Sequence, residues 1–373
     1  VYKRQVHRIS LCRSKILRPI RQFDSTRHSS ASMAPASRPR CIDELGGSQM
    51  RILVVLMILM VPGVSGLAGD GMWLPDQLPK IAGALQAAGL ETPAENFAEL
   101  TGDPMGAIVS LGGCSASFVS PQGLVATNHH CAYGTLQFNS SEERNLLEDG
   151  FLAATFDDEL PAAPGARVYV TVAAGDVTGK VLAAIPDGAN GSTRFAAIED
   201  IEKQLISRCE ETPGHRCRVA AFYGGTMYRL YDQLEIRDVR LVYAPPSSIG
   251  KYGGDIDNWM WPRHTGDFSF YRAYVGPDGQ PADPSPENVP FSPEHWLRIG
   301  TDGVAEGDFV MVVGYPGRTN RYRLASEVED AVSWTYPQRV ERRLSSLEII
   351  DREIDGRPDA AIAYAAMNSY INN

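Results

Sequence analysis

Two stretches of the chain concentrate side chains able to do chemistry. In the first, Gly123-Leu124-Val125-Ala126-Thr127-Asn128-His129-His130-Cys131, a β-rich run ends in a small polar pair and passes at once to two histidines. A strand that delivers an imidazole straight onto a turn holds it on rigid backbone, where it can act as a base. General-base work needs a carboxylate behind the ring, to fix the tautomer and stabilise the imidazolium, and a nucleophile in front. Taken alone, a His-His pair more often serves structure or surface, and as a metal pair it is handicapped because neighbours on a strand face opposite ways. The second stretch runs from Gly253-Gly254-Asp255-Ile256-Asp257-Asn258-Trp259-Met260-Trp261 through Pro262-Arg263-His264-Thr265-Gly266-Asp267 into Phe268-Ser269-Phe270. Three carboxylates, two tryptophans and a histidine share this glycine-punctuated loop, and tryptophan beside Asp and Asn marks recognition more often than core capping.

The elements that must hold these residues are mostly strands. Short β-rich runs lie at 107–110, 115–119 and 124–128, with Pro121-Gln122-Gly123 as the tight turn between the last two. Further runs are expected at 167–173, 218–222, 227–234, 239–243, 268–275 and 309–313, with one helical segment near 194–209. Ahead of them, Thr92-Pro93-Ala94-Glu95 reads as an N-cap, N1 proline and N3 glutamate, within short helices over 79–101. Many short strands at modest spacing indicate an antiparallel barrel or sandwich. After Arg318 the period changes. Leu324, Val328 and Val332 recur every four residues, Pro337 interrupts, and Val340, Leu344, Leu347 and Ile354 resume the stripe. A helical region is therefore expected from about 320 to Asn373, and because it closes without Gly or Pro the sequence is expected to stop inside a domain.

Charge is distributed unevenly. The first 69 of 373 residues hold 11 Lys/Arg against 3 Asp/Glu, which leaves 24 against 42 for the remainder. An acidic body argues against nucleic-acid binding, which needs a basic face, and 43% hydrophobic residues with 9% aromatics argue against disorder. Met50-Arg51 opens an apolar run over 52–61 that ends in small residues at 64–69. The run is too short to span a bilayer, so 50–69 reads as a secretory signal peptide and 1–49 as an upstream extension, either translated upstream sequence or a transit segment. Export places Cys114, Cys131, Cys209 and Cys217 in an oxidising compartment, periplasmic or extracellular. Of three connectivities, Cys114–Cys131 with Cys209–Cys217 is favoured because each pair brackets a short turn-containing segment, and a zinc site from these cysteines lacks the Cys-x-x-Cys spacing.

Thr-Asn-His-His-Cys, a long interval, then Thr-Gly-Asp-Phe-Ser-Phe resembles the trypsin-like order, in which a histidine directly before a half-cystine is followed by an aspartate opening a strand. More specifically, Asp70-Gly71-Met72-Trp73-Leu74-Pro75-Asp76-Gln77-Leu78, the Gly-Gly-Cys-Ser-Ala-Ser run at 112–117, the loop at 251–270 and Gly314-Tyr315-Pro316-Gly317-Arg318-Thr319-Asn320-Arg321-Tyr322 resemble the bacterial dipeptidyl-peptidases of the seven and eleven types, serine peptidase family 46. The likeness covers about 70–373. It implies a mainly β fold, a chymotrypsin-like double β-barrel catalytic domain interrupted by an inserted α-helical domain that restricts cleavage to dipeptides. Residues 70–319 would be the N-terminal part of the catalytic domain and 320–373 the start of the helical one.

By the same resemblance His130 is the catalytic base and Asp267 its orienting carboxylate, while His129 is a structural neighbour. Asn258 and Trp259 would hold the substrate's free amino terminus, since an amide oxygen accepts from an ammonium and an indole face attracts it. A further asparagine near the end, Asn372 or Asn373, would join them. The nucleophilic serine belongs to a Gly-Asn-Ser-Gly-Ser-type motif that this sequence lacks, and it is expected beyond residue 373. Ser115 and Ser117 match no nucleophile position. The implied activity is release of dipeptides from oligopeptides with a free N-terminus through an acyl-enzyme, without cofactor or metal, with no nucleic acid and no membrane span after signal removal, and with a homodimer among the expected assemblies. A trypsin-like endopeptidase of the cell envelope, a non-catalytic peptide-binding protein on the same scaffold and a metal hydrolase using His129, His130 and His264 are the alternatives. The residue at the base of the primary specificity pocket is expected in the same later segment, so hydrophobic and acidic preferences both stay open.

Overall fold

A computed structural model describes residues 72–257, 260, 262–317 and 323–372. The extension 1–49, the expected signal peptide 50–69, Asn258, Trp259 and Asn373 lie outside the described residues. Among the described residues eleven strands form one antiparallel sheet: β1 Ile108–Ser110, β2 Ser115–Phe118, β3 Leu124–Thr127, β4 Phe151–Leu152, β5 Leu160–Pro161, β6 Val168–Asp176, β7 His215–Phe222, β8 Met227–Ile236, β9 Asp238–Ala244, β10 Ser269–Val275 and β11 Val289–Pro290. Their order is β4-β9-β10-β3-β2-β1-β6-β8-β7, with β5 also on β9 and β11 also on β10.

Alternation marks β2, and its absence marks β10. β2 turns Ala116 and Phe118 inward and leaves Ser115 and Ser117 half-covered, the pattern of a strand with one buried face. β10, paired with β3, β9 and β11, is buried along most of its length. The β2–β3 turn requires its glycine. Gly123 has φ 69°, and a Cβ there would lie 2.8 Å from the Phe291 carbonyl oxygen and 2.9 Å from that of Ala273, so the turn doubles as a seat for the strand behind it. Val109, Phe118, Val125, Leu136, Val168, Ile236 and Leu241 make the main core. A second cluster, Val177, Val181, Leu205 and Tyr228, seats a long helix on the β7–β8 hairpin.

Four helices matter here: α1 His129–Phe138, α2 Gly191–Cys209, α3 Tyr336–Ile354 and α4 Pro358–Asn372. α1 corrects the expectation of a strand ending on a turn, because the chain enters a helix at once after β3. The run at 309–313 is not a strand. Val310 and Val312 are exposed, and the segment is anchored just after it by Tyr315, whose N–H donates to Ser115 Oγ at 2.8 Å and whose hydroxyl bonds Thr171 Oγ1 at 2.7 Å. Near the start, the helical turn Ala94–Phe97 is entered from Pro93 rather than capped by Thr92. Pro337 does not interrupt the later helix. A wide π turn, Ala331–Thr335, precedes it, and Pro337 sits in the first turn of α3, where its missing N–H is tolerated. The break comes at Gly356, φ 67°, between α3 and α4. Leu324, Val328, Val332, Val340 and Leu344, read as a packing stripe, are exposed, and Ile350 is the buried residue of α3. Among the described residues no helix is long and apolar enough to cross a membrane.

Candidate active site

Pairing of β3 with β10 brings the two chemical stretches together. Thr127 lies opposite Ser269, so the residues leaving β3 meet those entering β10. α1 then begins with amide groups that need acceptors. Asn128, the residue before the helix, turns its side-chain amide away and donates to the Asp267 carbonyl at 3.2 Å and to its Oδ2 at 3.3 Å. Asp267 supplies the missing cap, accepting the backbone N–H of His130 at Oδ1, 3.1 Å. The same carboxylate meets His130 Nδ1 at 2.9 Å through Oδ2 and at 3.2 Å through Oδ1. One anion thus holds both the helix start and the ring that the helix carries.

Burial opposes ionisation of Asp267, but the hydrogen bonds and charge of His130 outweigh it and keep the carboxyl below its ordinary range. The positive end of α1 acts in the same direction. An ionised carboxylate only accepts, so the proton of a neutral His130 sits on Nδ1 and Nε2 is left with its lone pair. His130 is 46% exposed at its side chain and Asp267 22%, which presents a reactive nitrogen outward from a half-covered orienter.

His129 points the other way. Its side chain is buried, its ring stands edge-on to Tyr133 at 5.8 Å, and among the described residues neither nitrogen has a hydrogen-bond partner. Gly250 lies flat on the ring, with no room for a Cβ, which would approach Cγ and Cδ2 far inside contact distance. Burial lowers the His129 pKa to about 4, with Asp267 opposing and His130 assisting. His264 is exposed in the loop.

Cys114 and Cys131 are joined, which ties α1 to the start of β2, and Cys209 and Cys217 are joined, which ties the end of α2 to β7. Two groups of ligating side chains fall close together, Cys114/His130/Cys131 and Cys209/Cys217/Asp232, and in both the cysteines are already committed to disulfides. A second imidazole–carboxylate pair, His215 Nδ1 to Asp232 Oδ1 at 2.6 Å, lies on the β7–β8 hairpin.

The loop carrying Asn258 and Trp259 is closed at its base by Thr265 Oγ1 donating to Tyr252 O at 2.8 Å and by Gly266 N–H donating to Ile249 O at 3.0 Å. Asn372 ends α4, its amide bonded to Asn368 Oδ1 at 2.5 Å. Sequence reasoning missed three contributors: Asn128 as a donor to Asp267, Asp267 as a helix cap, and Gly250 as the cover of His129. Asparagine ahead of a helix signals a capping acceptor, a role that Asn128 does not take, so none of the three had a local signal.

The Peptidase S46 profile matches residues 68–373. An Asp/Glu-specific dipeptidyl-peptidase of Shewanella putrefaciens is 48% identical over 324 residues, covering 87% of this chain and 44% of the relative. One of Porphyromonas endodontalis is 38% identical over 334 residues, covering 87% and 46%. The crystal structure of P. endodontalis DPP11 with the dipeptide Arg-Glu superposes with a TM-score of 0.74 at 38% identity, over 81% of this chain and 44% of that one. The chain thus spans less than half the length of these relatives. Its mainly antiparallel β architecture is similar to theirs, and the chain belongs to the peptidase S46 family.

Proposed function

We propose that the complete protein is a serine-type dipeptidyl-peptidase of the periplasm or the extracellular space. In this reading residues 70–319 begin a chymotrypsin-like double barrel and 320–373 begin the helical domain inserted into it. The observation that carries it is the His130–Asp267 pair, held at 2.9 Å by a carboxylate that also caps the histidine's own helix. His130 Nε2 takes the proton of a serine hydroxyl contributed by the part of the protein beyond residue 373 as that oxygen attacks the second peptide carbonyl. It returns the proton to the leaving amine when the bond breaks, and water then releases the acyl-dipeptide by the same route. Asn258, Trp259 and Asn372 or Asn373 hold the substrate ammonium, which sets the distance to the attacked bond. The chemistry calls for no cofactor.

Acidic residues are the proposed preference at the second position, because the relative at 48% identity carries the Asp/Glu-specific name, whereas Dipeptidyl-peptidase 7 of Capnocytophaga gingivalis is 35% identical. The test pairs a peptide with a free amine against its acetylated form, each with Glu or Leu at the second position. The wild type is expected to release dipeptides from the free Glu peptide and leave the acetylated form intact. Asp267→Asn is expected to lower kcat by about 10⁴ through loss of the Nδ1–H tautomer. Equal cleavage of both forms would make the protein an endopeptidase, and no cleavage of either would make it a binding protein.

A further inference from the structure

α1 carries the base at one end and a clasp at the other. Gln137 lies seven residues after His130, about 10 Å along the helix axis, and its side chain reaches α4. Its Nε2 donates to the Ala363 carbonyl oxygen at 2.8 Å, and its Oε1 accepts the Ala366 N–H at 2.8 Å. Both partners are main-chain atoms. An amide that engages one carbonyl and one N–H of a facing helix resists both rotation and sliding of that helix, because a displacement of a fraction of the roughly 5.4 Å turn breaks both bonds.

The sequence of α4 is suited to this approach. Ala360, Ala361, Ala363, Ala365 and Ala366 make it slender all round, and Ala365 packs against the core of the sheet. A second tether comes from the loop that leads to Asn258 and Trp259, where Lys251 Nζ donates to Ser369 Oγ at 3.4 Å. α4 is therefore held from two directions, by the helix of the base and by the loop of the expected amine pair. Its last turn carries Asn368 and Asn372, and the chain continues to Asn373.

We propose that Gln137 is a positioning residue for substrate length: by locking the register of α4 against α1, it sets how far the asparagine at the end of α4 stands from the His130 base. That distance is the span between an anchored ammonium and the attacked carbonyl, so the clasp would make cleavage after two residues the favoured outcome. The inference rests on the dipeptidyl-peptidase reading above. A clasp that served stability alone would alter unfolding without altering which bond is cut or how tightly a free amine is held.

The test uses the complete protein, with Gln137→Ala, which removes both bonds, and Gln137→Glu, which keeps the acceptor for Ala366 and loses the donor to Ala363. KM for free-amine peptides is expected to rise by up to about thirtyfold in Gln137→Ala, the ceiling set by two lost neutral hydrogen bonds, with a smaller change in kcat. Gln137→Glu, which sets a carboxylate oxygen against the Ala363 carbonyl, should raise KM at least as far, and products longer or shorter than dipeptides should appear in both variants. Should Gln137→Ala fail to accumulate as folded protein, Gln137→Glu carries the comparison. Wild-type KM and dipeptide-only products in a folded variant would overturn the inference and leave the peptidase reading intact. A wild-type protein that cuts free and acetylated peptides alike would instead overturn that reading, and this inference with it.

Discussion

His129 and His130 are adjacent in sequence and opposite in fate. One ring is outward and paired with a carboxylate, and its neighbour is buried under Gly250 with a pKa lowered to about 4 by that burial. The lowered value has a consequence for stability, and its sign follows from proton binding. Between about 6.5 and 4 the unfolded chain takes up a proton that the folded His129 refuses, so stability falls as the pH drops through that window. By pH 5 the loss amounts to about 2 kcal/mol. His129→Leu, similar in volume and unable to titrate, is expected to flatten the dependence of urea-unfolding free energy on pH between 7 and 5 by that amount. A slope unchanged from the wild type would mean that the ring is not buried neutral. Asp267 also loses its contribution in acid, but only as the pH falls from its unfolded value near 3.8 through its lowered folded value, so the two effects separate along the pH axis.

The strands are bound by more than their ladder. Glu159, 2% exposed at its side chain, accepts from Arg272 Nε at 2.8 Å and from the Tyr274 hydroxyl at 2.8 Å, and Arg272 also donates to the Gln122 carbonyl at 2.7 Å. This joins the segment before β5 to the middle of β10 and to the β2–β3 turn. Arg272→Met strands a buried carboxylate and is expected to lower stability by about 3–5 kcal/mol, read from the urea midpoint at constant slope. Adding Glu159→Leu should return much of the loss, because the pair's desolvation disappears with its attraction. Such ties were invisible in the sequence, where Glu159 and Arg272 stand 113 residues apart. Most strands were readable, since alternation and the Pro121-Gln122-Gly123 turn mark them locally, and the actual bounds of β1, β2, β3 and β10 differ by a residue or so. β4, β5 and β11 were not, because two residues carry no period. The run at 309–313 has strand composition without a strand partner among the described residues, and composition alone does not supply one. His130 and Asp267 were identified by motif order and not by spacing, and the helix that begins at His129 was hidden by the strong β signal just before it.

Across the whole molecule, the exposed residues Leu324, Val328, Val332, Trp334, Val340 and Leu344 form an apolar stretch on the later helices. An exposed apolar stretch of this kind suits a covering element, which in the reading proposed above is the later part of the complete protein. Backbone amides over 325–354 are expected to exchange with solvent more slowly in the complete protein than in a fragment ending at residue 373. Equal rates would leave the stretch bare in both. The capping of α1 by Asp267 reaches further than the geometry of one proton. His130 and its partner are 137 residues apart, and they meet only when β3 and β10 zip together, so the helix lacks its cap and the ring its tautomer until the sheet has closed. Orientation of the His130 ring is therefore a late event in folding, coupled to the closing of the sheet and not to the local sequence around the histidine.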